Sequence, residues 1–290
     1  MKEFEVAKKA VISASKIIKK YFKNVGYSLK GRANPVTIAD LESEKILRKE
    51  ILKNFKNDSI ISEEDKSIIK DKSRIWLIDP LDGTVNYAHS FPHFAISIGF
   101  IKDNNVLLGI VYDCIKEEFF WAVKGKGAYL NNTKIKVSNT KDLNSSLLAT
   151  GFAYDRAEKS EFYCSFYSSF LKKSHDIRRC GAASLDICWT ACGRIDGYWE
   201  FNLKPWDVAG GKIILEEAGG KITDFSNKPF EFGFEKIPPV GELQVLMDVF
   251  LTVADKLTTG LLAHTVKFGP ALSCKRGLIT TYMVSRTTKH

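Results

Sequence analysis

Residues 2–22 place Phe4, Ala7, Ala10, Val11, Ala14, Ile17, Ile18 and Tyr21 at helical spacing with lysines opposite, which predicts an amphipathic packing helix. A second helix is predicted from Thr37 to Phe55, with Ile38, Leu41, Ile46, Leu47, Ile51 and Leu52 as its buried positions and Asp40 in its first turn, where an acid suits the helix dipole. Gly26–Pro35 between them reads as a polar loop from which Lys30 and Arg32 can reach an anion. The pattern then changes to short apolar runs. Ile60-Ile61 is a strand signal ending in Ser62-Glu63-Glu64-Asp65, and Ile75–Ile78 is a buried strand ending at Asp79. Antiparallel strands are predicted over 94–101, 106–112 and 119–123, with Asp103-Asn104-Asn105 as a hairpin turn and a further pair around Asn131-Asn132.

From Ser146 onward short strands alternate with helical stretches near 158–171 and 183–193, and Pro205-Trp206-Asp207 opens a helix closed by Gly219-Gly220. This alternation predicts an α/β layer, so the chain reads as an α+β half over 1–143 and an α/β half over 144–240. No internal repeat, low-complexity tract or linker interrupts residues 1–240.

The stretch Ile75-Trp76-Leu77-Ile78-Asp79-Pro80-Leu81-Asp82-Gly83-Thr84 carries the densest chemical signal. A turn there aims Asp79 and Asp82 at one point, and hard cations such as Mg²⁺ are held by a few carboxylates together with substrate phosphate. The N–H groups of Gly83 and Thr84 suit a phosphate. The same letters also fit a plain turn, since Asp-Gly is a hairpin signal and Asp-Pro a loop opener. Likewise the acids at 63–65 fit a solvated loop or one inward carboxylate, and Asp207 fits a helix cap.

Composition narrows the class. With 290 residues, 44% apolar and 27% charged, the chain can bury a large core and is not a disordered one. No apolar run approaches the ~20 residues that span a bilayer, and the N-terminus has no secretory h-region, which predicts a cytoplasmic protein without membrane contact. The net charge of +9 is spread along helices among acids, which argues against nucleic acid and suits a small anionic substrate. The six cysteines form no CxxC pair, and Cys188 and Cys192 read as thiols packed on one helix face.

The run Ile75–His89, with Trp206–Gly220, resembles the inositol monophosphatase family; Ser62-Glu63-Glu64 is similar to its short acidic motif and Thr37-Ile38-Ala39-Asp40 to its threonine-aspartate segment. The resemblance covers residues 1–240. It implies a layered α-β-α-β-α sugar-phosphatase fold of mixed α+β and α/β character, usually a homodimer, and a lithium-sensitive phosphomonoesterase using two or three Mg²⁺ ions. On this chain Glu63, Asp79 and the Leu81 carbonyl would hold one metal. Asp79 would bridge to a second, held also by Asp82 and Asp207, and a third near Glu63 would involve water held by Asp40. Gly83 and Thr84 would bind phosphate, and Glu63 with the Thr84 hydroxyl would orient the attacking water. Glu200 matches the ring-hydroxyl acceptor, and Gly181, Ala182 and Ala183 match the segment lining the alcohol pocket, beside Asp82 and Asp207. The expected substrate is an inositol monophosphate or similar polyol phosphate; fructose 1,6-bisphosphate and nucleotide 3′-phosphates are the alternatives within the fold, and an RNA-binding protein reusing the pocket is the alternative outside it.

Beyond Pro239 the resemblance fades. Residues 241–290 contain scattered threonines, a Gly269-Pro270 break, Cys274-Lys275-Arg276 and a basic close at 285–290, with six Lys and Arg against three Asp and Glu. Val245–Leu262 reads as an amphipathic helix, and the whole segment as an altered or appended tail.

Overall fold

The computed structural model describes residues 1–24, 26–31, 34–65, 67–225, 227–230, 232 and 247–252. Arg32 and most of the 241–290 tail, with its Gly-Pro break, Cys274-Lys275-Arg276 and basic close, lie outside the described residues.

Five layers stack in the order α-β-α-β-α. Helices α1 (Lys2–Tyr21) and α2 (Ile38–Asn54) form the first. A seven-stranded sheet follows, in spatial order β3 (Ser59–Ser62), β4 (Arg74–Asp82), β5 (Ala95–Lys102), β6 (Asn105–Asp113), β7 (Glu118–Val123), β8 (Ala128–Leu130) and β9 (Thr133–Ile135). Helices α5 (Ala183–Ala191) and α6 (Pro205–Glu217) make the middle layer. A five-stranded sheet comes next, and α4 (Ser160–Leu171) closes the stack through a cluster of Tyr163, Phe166, Phe170, Trp199 and Phe201.

The seven-stranded sheet is covered on both faces, which explains the unbroken apolar run of β4. Trp76 and Ile78 face α1 and α2, while Ile75 and Leu77 face the middle layer. The turn at Asp103-Asn104 has positive φ at both residues, as the hairpin reading requires.

The second sheet runs β11 (Asp176–Arg178), β10 (Leu147–Thr150), β12 (Gly197–Leu203), β14 (Met247–Thr252), β13 (Lys221–Thr223). Here the structure departs from the helix expected over 245–262. Residues 247–252, near the start of that stretch, form a strand antiparallel to both β12 and β13.

Two smaller readings also change. Much of the expected Gly26–Pro35 loop is a hairpin of β1 (Tyr27–Gly31) and β2 (Asn34–Thr37), and Lys30 on it is paired with Glu63 and Glu64 instead of ranging free. On α2, Ile38 and Leu41 are exposed at 42% and 39%, whereas Asp40, Ser43 and Glu44 are buried. The first turns of α2 face a polar site, so burial there follows chemistry and not hydropathy. Among the described residues no helix is long and apolar enough to cross a membrane, and the five described cysteines, Cys188 and Cys192 included, are free thiols.

Candidate active site

One cleft gathers Glu63, Asp79, Leu81, Asp82, Gly83, Thr84, Gly181, Ala183, Glu200 and Asp207 from both halves of the chain. In a regular strand Asp79 and Asp82, three apart, would point to opposite faces. The pairing of β4 with β5 slips by one residue between them, Asp79 standing opposite Ser97 and Asp82 opposite Ala95. That bulge lets both acids join one cleft. The Leu81 N–H then donates to Asp79 Oδ1 at 3.0 Å.

Gly83 follows with φ +90° and leads into the short helix α3 (Thr84–Ala88). A Cβ there would stand 3.0 Å from the His93 carbonyl oxygen and 3.2 Å from Ala182 Cβ, so the turn needs glycine for both backbone angle and space. The Thr84 hydroxyl lies 3.0 Å from Asp40 Oδ1 and 2.9 Å from the Leu81 carbonyl oxygen. Asp40 itself is fully buried, accepts from the Thr37 N–H at 2.8 Å and from the Thr37 hydroxyl, and lies behind Thr84 instead of lining the cleft.

Glu63 comes from the turn after β3. That turn is braced by Glu44, which accepts from the Ser62 hydroxyl at 2.6 Å and the Glu64 N–H at 3.0 Å and pairs with Arg48 at 3.1 Å. Of the three consecutive acids, Glu63 lines the cleft, Glu64 pairs with Lys30, and Asp65 lies 3.8 Å from Arg48.

From the second half, α6 brings Asp207 in at its third residue, where the carboxylate accepts the Lys204 N–H at 2.7 Å. It thus caps the helix and lines the cleft at once. The helix reaches this depth because its Ala209-Gly210 segment lies on Gly99 and Gly109 of the sheet; a Cβ on Gly109 would be 2.2 Å from the Gly210 carbonyl oxygen. The start of α5 supplies Ser184, whose N–H and hydroxyl donate to Asp82 at 2.7 and 2.6 Å. Ala182, expected at the alcohol pocket, is instead buried beneath Gly83. Glu200 accepts from the Tyr198 hydroxyl, and Gly151 leaves it room.

Burial, then mutual repulsion, sets the electrostatics. Asp79 is held well above the ordinary carboxylate range by burial, then by Glu63, Asp82 and Asp207. Asp207 is held well above it by burial, then by Asp82 and Glu63. Burial pushes Asp82 up to about 6 against the Ser184 hydrogen bonds, Asp40 up to about 6 against those from Thr37, and Glu200 up to about 7. Several acids that raise one another make a site that favours a cation.

The donors fit Mg²⁺. Asp79, Asp82 and Asp207 each have one oxygen fixed by protein N–H groups, leaving a second for a cation. An all-oxygen donor set of carboxylates in an open cleft suits a hard ion that keeps some water and shares phosphate.

The far wall was not foreseen. Phe152, Tyr154, Arg156, Arg179, Asn202 and Lys204 line it, with the Arg179 guanidinium 5.9 Å from the Phe152 ring centre and that of Arg156 6.0 Å from Tyr154's. Phe152, Tyr154, Arg156 and Asn202 come from segments with no motif, and Arg179 and Lys204 stand just before the 181–183 and 205–207 stretches; the folded chain alone assembles them. The result is an acidic floor faced by cations and aromatic rings.

A five-layer fold with an acidic cleft at the meeting of its two sheets defines the class of layered sugar-phosphatase proteins. The chain belongs to the inositol monophosphatase family, which it matches over residues 2–267. It is 43% identical over 198 residues to "Nus factor SuhB" of Vibrio cholerae, covering 68% of this chain and 74% of that one. It is 38% identical over 239 residues to "Inositol-1-monophosphatase" of Synechocystis, covering 80% and 82%. Among solved structures it superposes on an inositol monophosphatase from Anabaena with a TM-score of 0.78 at 34% identity, over 92% of this chain and 96% of that one. The match to residue 267 runs through the strand at 247–252, further than the sequence resemblance was traced.

Proposed function

We propose that this chain is a Mg²⁺-dependent phosphomonoesterase of inositol monophosphate or a similar polyol phosphate. The observation that supports this most is the meeting of Glu63, Asp79, Asp82 and Asp207 with the Gly83-Thr84 turn in one cleft. Glu63, Asp79, the Leu81 carbonyl, Asp82 and Asp207 would hold two or three ions, which when bound neutralise phosphate charge and lower the pKa of water. The Gly83 and Thr84 amides would bind the phosphate. Thr84, its hydroxyl held between Asp40 and Leu81, would orient the attacking water, and Glu63 would take its proton. Asp40 is then a positioning residue acting through Thr84. Asp82, Gly181, Ala183, Glu200 and Asp207 would face the alcohol, and water near Asp207 would protonate the leaving oxygen.

Arg156, Arg179 and Lys204 favour a second reading, a substrate with a second phosphate such as fructose 1,6-bisphosphate. The Vibrio relative is named a Nus factor, a name that implies no hydrolysis; a complete acidic cleft here favours retained catalysis over pure binding. Phosphate release from inositol 1-phosphate and from fructose 1,6-bisphosphate, each with Mg²⁺ and with EDTA, tests these readings. Mg²⁺-dependent turnover is expected, and the ratio of rates selects the substrate. A folded, Mg²⁺-binding protein that turns over neither ester, nor a nucleotide 3′-phosphate, would overturn the assignment. The reading further expects a cytoplasmic homodimer inhibited by Li⁺.

A further inference from the structure

Beside the cleft, and not part of it, three side chains meet whose chemistry the phosphatase reading does not use. His93 precedes β5, Cys180 follows β11, and Asp186 lies on the buried face of α5. One ligand atom from each, a His93 ring nitrogen, Cys180 Sγ and an Asp186 oxygen, can be chosen so that all lie within 4.8 Å of one another; His93 Nε2 is 3.9 Å from Asp186 Oδ1. His93 is 4% exposed and Asp186 1%, yet His93 Nε2 and both Asp186 oxygens have no hydrogen-bond partner of sound geometry among the described residues. An unpaired buried carboxylate is costly, and buried polar groups are as a rule satisfied. Burial, then Glu200 and Asp82, hold Asp186 well above the ordinary carboxylate range, opposed by Arg179 and by the adjacent Cys180 thiol, so without a cation its proton is retained. Burial, and after it Lys116, push the His93 imidazole down to about 4, so it stays neutral, the form that binds metal.

We infer that His93, Cys180 and Asp186 form a second metal site, distinct from the acidic cleft, that takes a thiophilic divalent cation of the zinc type. Nitrogen and sulfur donors with one carboxylate select Zn²⁺ or Co²⁺ over Mg²⁺, the reverse of the all-oxygen cleft. Metal–ligand bonds of about 2.0–2.3 Å need the three atoms to close by about 1 Å, within the reach of side-chain rotation. Cys180 is partly exposed and gives an entry path, and a water completes the fourth position. Binding displaces the thiol proton of Cys180 to solvent, along with any proton on Asp186. The site adjoins the phosphate turn: Asn86 of α3 donates to the carbonyl oxygens of His93, Cys180 and Gly181 at 2.8, 2.9 and 3.3 Å. Occupation would therefore clamp the 180–184 segment, which presents Gly181 to substrate and Ser184 to Asp82.

The test is metal binding by the whole chain in excess Mg²⁺, which keeps the carboxylate cleft occupied, with Zn²⁺ titrated against a chromophoric chelator and Co²⁺ as spectroscopic probe. One tight equivalent is expected, with a near-ultraviolet thiolate-to-cobalt band. Cys180→Ser should abolish the band, and His93→Gln and Asp186→Asn should each weaken Zn²⁺ at least about tenfold. No tight equivalent in Mg²⁺ overturns the site and leaves a bridging water as the partner of these groups. A band that survives Cys180→Ser also overturns it, by placing the metal on another thiol. Should the variants not fold, Zn²⁺ protection of wild-type thiols from iodoacetamide decides: protection at Cys180 supports the site, and its absence there overturns it. None of these readouts uses phosphatase activity, so failure here and failure of the phosphatase reading are separately visible.

Discussion

Asp79 is 1% exposed and lies in the field of three other carboxylates, so its charge is tolerable only with a cation beside it. Asp79→Asn should therefore separate stability from function. Activity in Mg²⁺ is expected to fall on the order of 100-fold or more, because a neutral amide is a far weaker ligand than a carboxylate for a hard cation. Thermal stability in EDTA should hold or rise, because the like-charge repulsion is relieved. Unchanged turnover in this variant would sink the metal assignment. The motif was readable at this scale because Asp79, Asp82, Gly83 and Thr84 are sequence neighbours. Ser184, which fixes Asp82, lies a hundred residues away behind an ordinary helix start and left no local signal.

Among the elements, α6 and β14 carry the predictions. The seat of α6 on the sheet depends on missing side chains, so Gly109→Ala forces its methyl into the Gly210 carbonyl. Such overpacking costs about 1–3 kcal/mol and would lift Asp207 from the cleft. Calorimetry should show a lower Tm, and kinetics a weaker apparent affinity for Mg²⁺; a variant with wild-type Tm would contradict the close approach. Removing 241–290 deletes β14, the strand joining β12 to β13. Since β12 also carries Glu200, the truncated chain is expected to be insoluble or molten by circular dichroism. A folded, active truncation would instead support an appended tail. The helix expected over 245–262 gives way to a strand at Met247–Thr252 because a short, largely apolar run without clear alternation fits either element.

For the molecule as a whole the acids govern the response to pH. Asp40 near 6, Glu200 near 7 and Glu64 near 8 are each raised chiefly by burial. The folded state thus holds these protons more tightly than the unfolded chain, where such groups titrate near about 4. Their contribution to stability is complete below that value and is lost as pH rises through 6 to 8. In EDTA this lowers Tm across that window. The cleft acids Asp79, Asp82 and Asp207 are raised in the same way, and Mg²⁺ would bind their ionised forms, so the gain in Tm on adding it should be larger at pH 8 than at pH 5. An equal or larger gain at pH 5 would show that the cation does not act on the raised carboxylates.

The sequence by itself determined the mixed, layered fold class, most strand and helix positions and the candidate acids that the cleft gathers. These depend on periodicity and on residues adjacent in the chain, where backbone geometry acts locally. Only the tertiary structure decided which of the acids 63–65 turns inward, that Asp40 works from behind Thr84, and that Arg156, Arg179 and Lys204 face the floor. It also decided that residues 247–252 complete a sheet and that His93 meets Asp186. Each of those outcomes depends on contacts between segments tens to more than a hundred residues apart, which no local pattern encodes.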